Sequence, residues 1–403
     1  MKYTTLTLCA VLLGTALPGL CGGSGVPPSP TAADTPELVQ GNTAFAIDLY
    51  RHLSAEEGNL FMSPYSISVA MGMTYGGARG NTAAEMAGVL HFPDDHEALH
   101  PAFRQLSRRL MDSVAETEQK LTIANGLWLT GGDLSSEYKA LLDHAYNAEF
   151  FRGRVDEINA WVEKKTEGKI DKILEQLSPD SVCVLLNAIY FQGFWENRFS
   201  EDNTHDAPFT LTPGEEVTVP LMYQKSEIKV LHKDGFQAAA LPYEGERLSM
   251  VILLPDEVTG LPALEEQLSA ENLKQWLADL DASPAQETEL YLPRFILESE
   301  YDLVPPFKAL GIHDAFQEND ADFTGMGWRK GDLWIGQIKH KAFVEVNEEG
   351  TEAAAATAVE MITKVATPAP VFRVDRPFLF LIRDNETQTL LFLGRLVDPG
   401  TQT

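Results

Sequence analysis

Two rhythms of apolar residues run along this chain. From Pro36, the run ELVQGNTAFAIDLYRHL carries them near helical spacing, and Val155 to Leu174 does the same on a surface helix bearing Asn159, Trp161 and Lys164. After Ser63 and Pro64 the pattern loses its polar side: Ile67, Val69, Ala70, Met71 and Met73 are apolar nearly all round. That predicts a buried helix with Ser63 as its cap and Pro64 in its first turn. Strands are predicted at Leu121 to Leu129 and at Trp334 to Val346. A third, Val182 to Phe191, is a branched and aromatic run fit to be covered on both faces. Between Asn203 and Leu254 come the short strands APFTL, VTVPLM, EIKVLH, FQAAALPY and RLSMVILLP, separated by turns, and Ala263 to Leu280 reads as helix. No repeat or internal linker breaks the pattern, so residues 36–400 are expected to form one large domain of α+β class.

Polar residues inside apolar runs single themselves out. Asn187 is the only strongly polar member of Val182 to Phe191, and His340 interrupts Trp334 to Val346. A buried amide must be hydrogen-bonded, so each needs a partner. Ser63 and Ser66 are short hydroxyls at a buried helix start, where capping is the ordinary role. The stretch Asn347 to Lys364, NEEGTEAAAATAVEMITK, reads two ways. Its four alanines, Ala353 to Ala356, favour helix. With period two, Glu352 and Glu360 share one side with small and apolar residues. Thr351, Ala353, Ala355, Thr357, Val359, Met361 and Thr363 make an uncharged other side, as in a strand with one buried face. Gly350 supplies a backbone hinge before it.

The flanks decide between the two. HKAFVEVNEEGTEAAAAT (340–357) resembles the hinge of the serpins, and DRPFLFLIRDNETQTLLFLGRLVDP (375–399) resembles their C-terminal signature. Three further blocks follow the same family in the same order: the SPYSI and GARGNT segments, NAIYFQGFW, and LPRF with ALGIHDAF and ADFTGM. The resemblance covers Pro36 to Pro399. It implies a large mostly antiparallel sheet, two smaller sheets, about nine helices and an exposed reactive-centre loop over about 348–371. It also implies no enzyme but an irreversible suicide-substrate inhibitor, which traps a serine endopeptidase as the acyl-enzyme by inserting the cleaved loop into the main sheet. Ser63, Ser66, Asn187 and His340 then form the shutter beneath that sheet, and Trp195, Arg294 and Glu348 the breach where the loop enters. Glu348, Glu349, Gly350, Thr351, Glu352, Ala353, Ala354, Ala355, Ala356 and Thr357 form the hinge.

Family geometry sets the reactive bond at Lys364–Val365. Independently, Lys364 is the only basic residue between Gly350 and Arg373, which points to a trypsin-like protease. Met361 would suit a chymotrypsin- or elastase-like enzyme, and Thr363 a less selective one. The alternative within the family is a non-inhibitory carrier, chaperone or storage protein. Such members carry bulky or charged hinge residues, whereas Thr351, Ala353, Ala355 and Thr357 are all insertable. Pro305 and Pro306 depart from the family pattern, so the short helix there is expected to start at Pro305 or to break.

Composition narrows the partners. Of 403 residues 44% are hydrophobic, and the net charge of −28 argues against nucleic acid or an anionic membrane as the main partner. Residues 1–21 read as an export signal, with Lys2 before an apolar core at Leu6 to Leu17, and residues 22–35 as a flexible tether. Cys21 admits lipidation and a membrane tether, although Leu20 and Pro18 stand where a lipobox wants other residues. An exported family member of prokaryotic type, secreted, periplasmic or anchored at the envelope, is therefore expected, as a monomer without cofactor. The three cysteines, Cys9, Cys21 and Cys183, are too few and too scattered for a disulfide framework. His96, Glu97 and His100 spell HExxH, but Pro101 follows at once and biases His100 away from helix, so a solvated loop or helix start is expected and no metal. GxSxG is absent, and the SxxK at Ser226 to Lys229 lacks its companion motifs.

Overall fold

The computed structural model describes residues 34–93, 96–177, 182–350 and 369–400. Within them lie nine α-helices and fourteen strands. The helices are α1 Asp34–Leu53, α2 Pro64–Tyr75, α3 Gly80–Leu90, α4 His96–Val114, α5 Ser136–Leu141, α6 Val155–Lys165, α7 Leu261–Gln267, α8 Ala270–Ala282 and α9 Val304–Leu310. The strands run β1 Leu60–Met62, β2 Lys120–Leu129, β3 Glu149–Phe151, β4 Cys183–Gln192, β5 His205–Thr212, β6 Glu215–Lys233 and β7 Phe236–Pro242. They continue with β8 Leu248–Pro255, β9 Ala285–Pro293, β10 Phe295–Asp302, β11 Ile335–Val346, β12 Val371–Arg373, β13 Phe378–Asp384 and β14 Leu390–Leu396. The leader, Cys21 and the tether as far as residue 33 lie outside the described residues; the last two tether positions, Asp34 and Thr35, open α1.

A five-stranded sheet in the order β10-β11-β4-β2-β3 holds the functional rows. Its pairings are mixed: β10 with β11 and β4 with β2 are antiparallel, while β11 with β4 and β2 with β3 are parallel. β4 is buried along nearly its whole length because both its faces are covered. Cys183, Leu185, Ile189 and Phe191 join the main core that includes α2, while Val184, Leu186 and Ala188 pack with Ile158 and Val162 of α6. Every residue of α2 is buried, as its lack of a polar face predicts. Ser63 caps it, accepting from the Ser66 N–H at 3.2 Å, with proline at the helix start.

The remaining nine strands form one sheet, β1-β14-β13-β8-β7-β6-β9-β12, with β5 added to β6. Two smaller sheets are anticipated from the sequence, but β6 spans 19 residues and pairs along its length with β5, β9 and β7, so hydrogen bonds make the two layers continuous. VTVPLM and EIKVLH are accordingly one strand, because Tyr223 to Ser226 keep pairing with Thr288 to Tyr291 across the junction. The helical stretch Ala263 to Leu280 is two helices, broken where extended Ser269 caps α8. α6 ends at Lys165, short of Leu174, because Glu167 and Gly168 turn to positive φ. Pro101 lies inside α4 and His100 is helical; the proline stands early in the helix. Pro305 and Pro306 sit in the opening residues of α9, which starts intact at Val304.

Candidate functional site

Register builds the shutter. β11 sets His340 opposite Asn187 of β4, and β4 sets Asn187 opposite Asn125 of β2, while Tyr301 of β10 lies on the far side of His340. A polar row thus crosses four strands beneath α2. Asn187 Nδ2 donates to the Ser66 carbonyl at 3.0 Å, to Ser66 Oγ at 2.7 Å and to Asn125 Oδ1 at 2.7 Å. The Ser63 N–H donates to His340 Nε2 at 3.2 Å, so the other ring nitrogen carries the proton and donates to Asn187 Oδ1 at 2.6 Å. Ser63 Oγ donates to the Leu391 carbonyl at 2.6 Å, tying the row to β14. Among the described residues no carboxylate enters this cluster, and burial pushes the His340 imidazole down to about 3. All four residues named from the sequence meet here. Asn125 and Tyr301 are missing from that list, yet Asn125 gives the same signal as Asn187, an amide inside an apolar strand.

The breach is built at the far end of β4. Trp195 donates from Nε1 to the Asn347 carbonyl at 2.9 Å and from its backbone to the Glu349 carbonyl at 2.7 Å, and its ring stacks on Tyr243 at 4.6 Å. Arg294 pairs with Glu348 Oε1, and Thr204 Oγ1 donates to the same oxygen at 2.6 Å. Burial pushes the Glu348 carboxyl up, but the Arg294 guanidinium and the Thr204 hydroxyl outweigh it and hold the group below the ordinary carboxylate range. Glu349 is also buried. Among the described residues its Oε2 accepts no hydrogen bond, Arg198 stands 3.9 Å away, and burial sets its carboxyl above the ordinary range.

Gly350 sits at φ +147°, and a Cβ there would lie 2.0 Å from the Gly193 carbonyl oxygen. Asn347 and Gly350 exchange both backbone hydrogen bonds, at 2.9 and 3.3 Å, closing a two-residue turn over Glu348 and Glu349. The hinge residues Thr351 to Thr357 and the bond Lys364–Val365 lie outside the described residues.

Other candidates dissolve into structure. His100 Nδ1 is bonded to the Tyr146 hydroxyl at 2.5 Å, and among the described residues no three metal-ligating side chains converge. Cys183 is buried, and burial pushes its thiol up to about 12, as befits an inert core residue.

The serpin (serine protease inhibitor) family model matches residues 40–399. The chain belongs to the serpin family. Leukocyte elastase inhibitor of Equus caballus is 40% identical over 382 residues, covering 90% of this chain and 100% of the relative. Serpin B6 of Pongo abelii is 39% identical over 378 residues, covering 90% and 99%. Human thyroxine-binding globulin bound to thyroxine superposes with TM-score 0.82 at 28% identity, covering 91% and 100%. These relatives are mammalian, and the prokaryotic type expected from the leader has no counterpart among them. β4 and β11 are hydrogen-bonded neighbours over eight register pairs from Ile335 to Phe343.

Proposed function

We propose that this serpin traps a trypsin-like serine endopeptidase. The protease's serine attacks the Lys364 carbonyl, the Val365 amine leaves, and an ester links serpin to enzyme. Insertion of the released segment between β4 and β11 then carries the acyl-enzyme away before water can cleave it. The observation that supports this reading best is the Asn347–Gly350 pair, a first hairpin rung already formed at the top of β11. Continuing it rung by rung would set Thr351 opposite Val346, Ala353 opposite Val344, Ala355 opposite Ala342 and Thr357 opposite His340. All four β11 positions are buried, and all four incoming side chains are small and uncharged.

The specificity rests on Lys364 as the single basic residue of the loop. The name of the horse relative points to elastase, for which Met361 would be the competing residue. A protease panel on denaturing gels, with the released peptide sequenced from its N-terminus, tests the reading. A covalent trypsin complex, a peptide beginning at Val365 and loss of both in Lys364→Ala are expected. A trypsin complex that survives in Lys364→Ala refutes the bond assignment.

The likeness to thyroxine-binding globulin favours a carrier role as the second reading. Cleavage of the loop without any covalent complex would support it. The leader further suggests export, with the protein acting outside the cytoplasm.

A further inference from the structure

A pocket of about 430 Å³ is lined by residues of β5, β6, β9 and β12. Register sets Tyr223 of β6, Tyr291 of β9 and Arg373 of β12 in one row along its wall, and buried Leu221, two positions back on β6, forms an apolar part of the lining. The exposed side chains of Asn203 and His205 complete the polar lining. The two tyrosine rings lie 4.9 Å apart. Burial, with the charge of Glu289 one row outward on β9, raises the Tyr223 hydroxyl, so the phenol stays a neutral donor.

Charge sets this pocket apart from the rest of the molecule. The chain carries 59 acidic residues against 31 lysines and arginines, yet among the described residues no carboxylate lines the pocket, and the permanent charge in it is the Arg373 cation. That guanidinium sits 4.7 Å from the Tyr291 centroid, a stacking that holds its plane. Its Nε donates to Asp375 at 3.1 Å, and the same carboxylate accepts from Arg376 Nη1 at 2.8 Å. One carboxylate thus serves two guanidinium groups, and among the described residues neither terminal nitrogen of Arg373 donates a hydrogen bond. Two free N–H groups on a planar guanidinium match the paired oxygens of a carboxylate. The tyrosines and Leu221 match a flat apolar body, and the volume is that of a small-molecule site. A cationic ligand would meet Arg373 with no counter-charge in the lining.

We propose that this pocket binds a small aromatic carboxylate, its two oxygens on the terminal nitrogens of Arg373 and its ring against Tyr223 and Tyr291. No residue of the shutter, the breach or the hinge lines the pocket, so the site is independent of the trap. The test is calorimetric titration of the full chain with 2-naphthoate as probe and its neutral amide, 2-naphthamide, as control. Saturable binding of the naphthoate with a dissociation constant below about 1 mM is expected, with the amide about tenfold weaker. Arg373→Gln should cost the naphthoate about tenfold and leave the amide unchanged, whereas Tyr223→Ser should weaken both. Thermal unfolding checks that each variant keeps its fold. Equal affinity of wild type for carboxylate and amide, a comparison that needs no variant, overturns the proposal. So does naphthoate binding within twofold of wild type in folded Arg373→Gln, or no saturable binding up to about 5 mM.

Discussion

Acidification should weaken the native state through His340 before it reaches ordinary carboxylates. In the fold the imidazole is neutral because Nε2 accepts from Ser63 while the ring donates to Asn187, and burial holds it down to about 3. In the unfolded chain it titrates near 6.5. Between those values the unfolded state binds one more proton, so stability rises with pH across the window and falls as pH drops below about 6.5. Each unit below that point costs about 1.4 kcal/mol, or about 2 kcal/mol at pH 5. The raised carboxyl of Glu349 acts in the opposite sense, so a matched variant is needed. Urea unfolding followed by tryptophan fluorescence at pH 7.5 and pH 5 would compare wild type with His340→Gln, which keeps a donor and an acceptor but cannot charge. Wild type should lose about 2 kcal/mol more than the variant over that interval. Equal losses would show that the shutter imidazole is protonated in the native state and refute the reasoning.

Asn187→Ala should cost about 3 kcal/mol by stranding Ser66, Asn125 and His340, with polymer ladders on native gels after mild warming; an unchanged urea midpoint contradicts it. Arg294→Ala should cost about 1 kcal/mol, because the arginine is partly exposed while Glu348 is buried. That loss should be full above the ordinary carboxylate range and vanish as falling pH protonates Glu348, which chemical unfolding at two pH values reads directly. Gly350→Ala should lower the thermal midpoint and cost about 1–3 kcal/mol, since no Cβ fits beside Gly193 at φ +147°; a midpoint equal to wild type shows that the hinge base can shift.

What the residues determine by themselves is local requirement. The apolar run of β4 demands cover on both faces, the all-apolar α2 demands burial, and Ser63-Pro64 demands a helix start, each from side-chain chemistry within a few positions. Asn187 and His340 announce that they need partners for the same reason, since a buried polar group cannot go unbonded wherever the fold takes it. Which partner each finds is not local. Asn187 meets His340 only through the parallel register of strands some 150 positions apart, and Asn125 enters the row only because β2 pairs with β4 in one register rather than a neighbouring one. The 19-residue span of β6 likewise depends on β9 pairing across a stretch that reads as a turn. At the hinge, adjacent glutamates of equal propensity part ways: Arg294 and Thr204 converge on Glu348, while Glu349 is buried with an oxygen that accepts no hydrogen bond among the described residues. Charge is a property of the residue; the dielectric and the counter-charge around it belong to the fold.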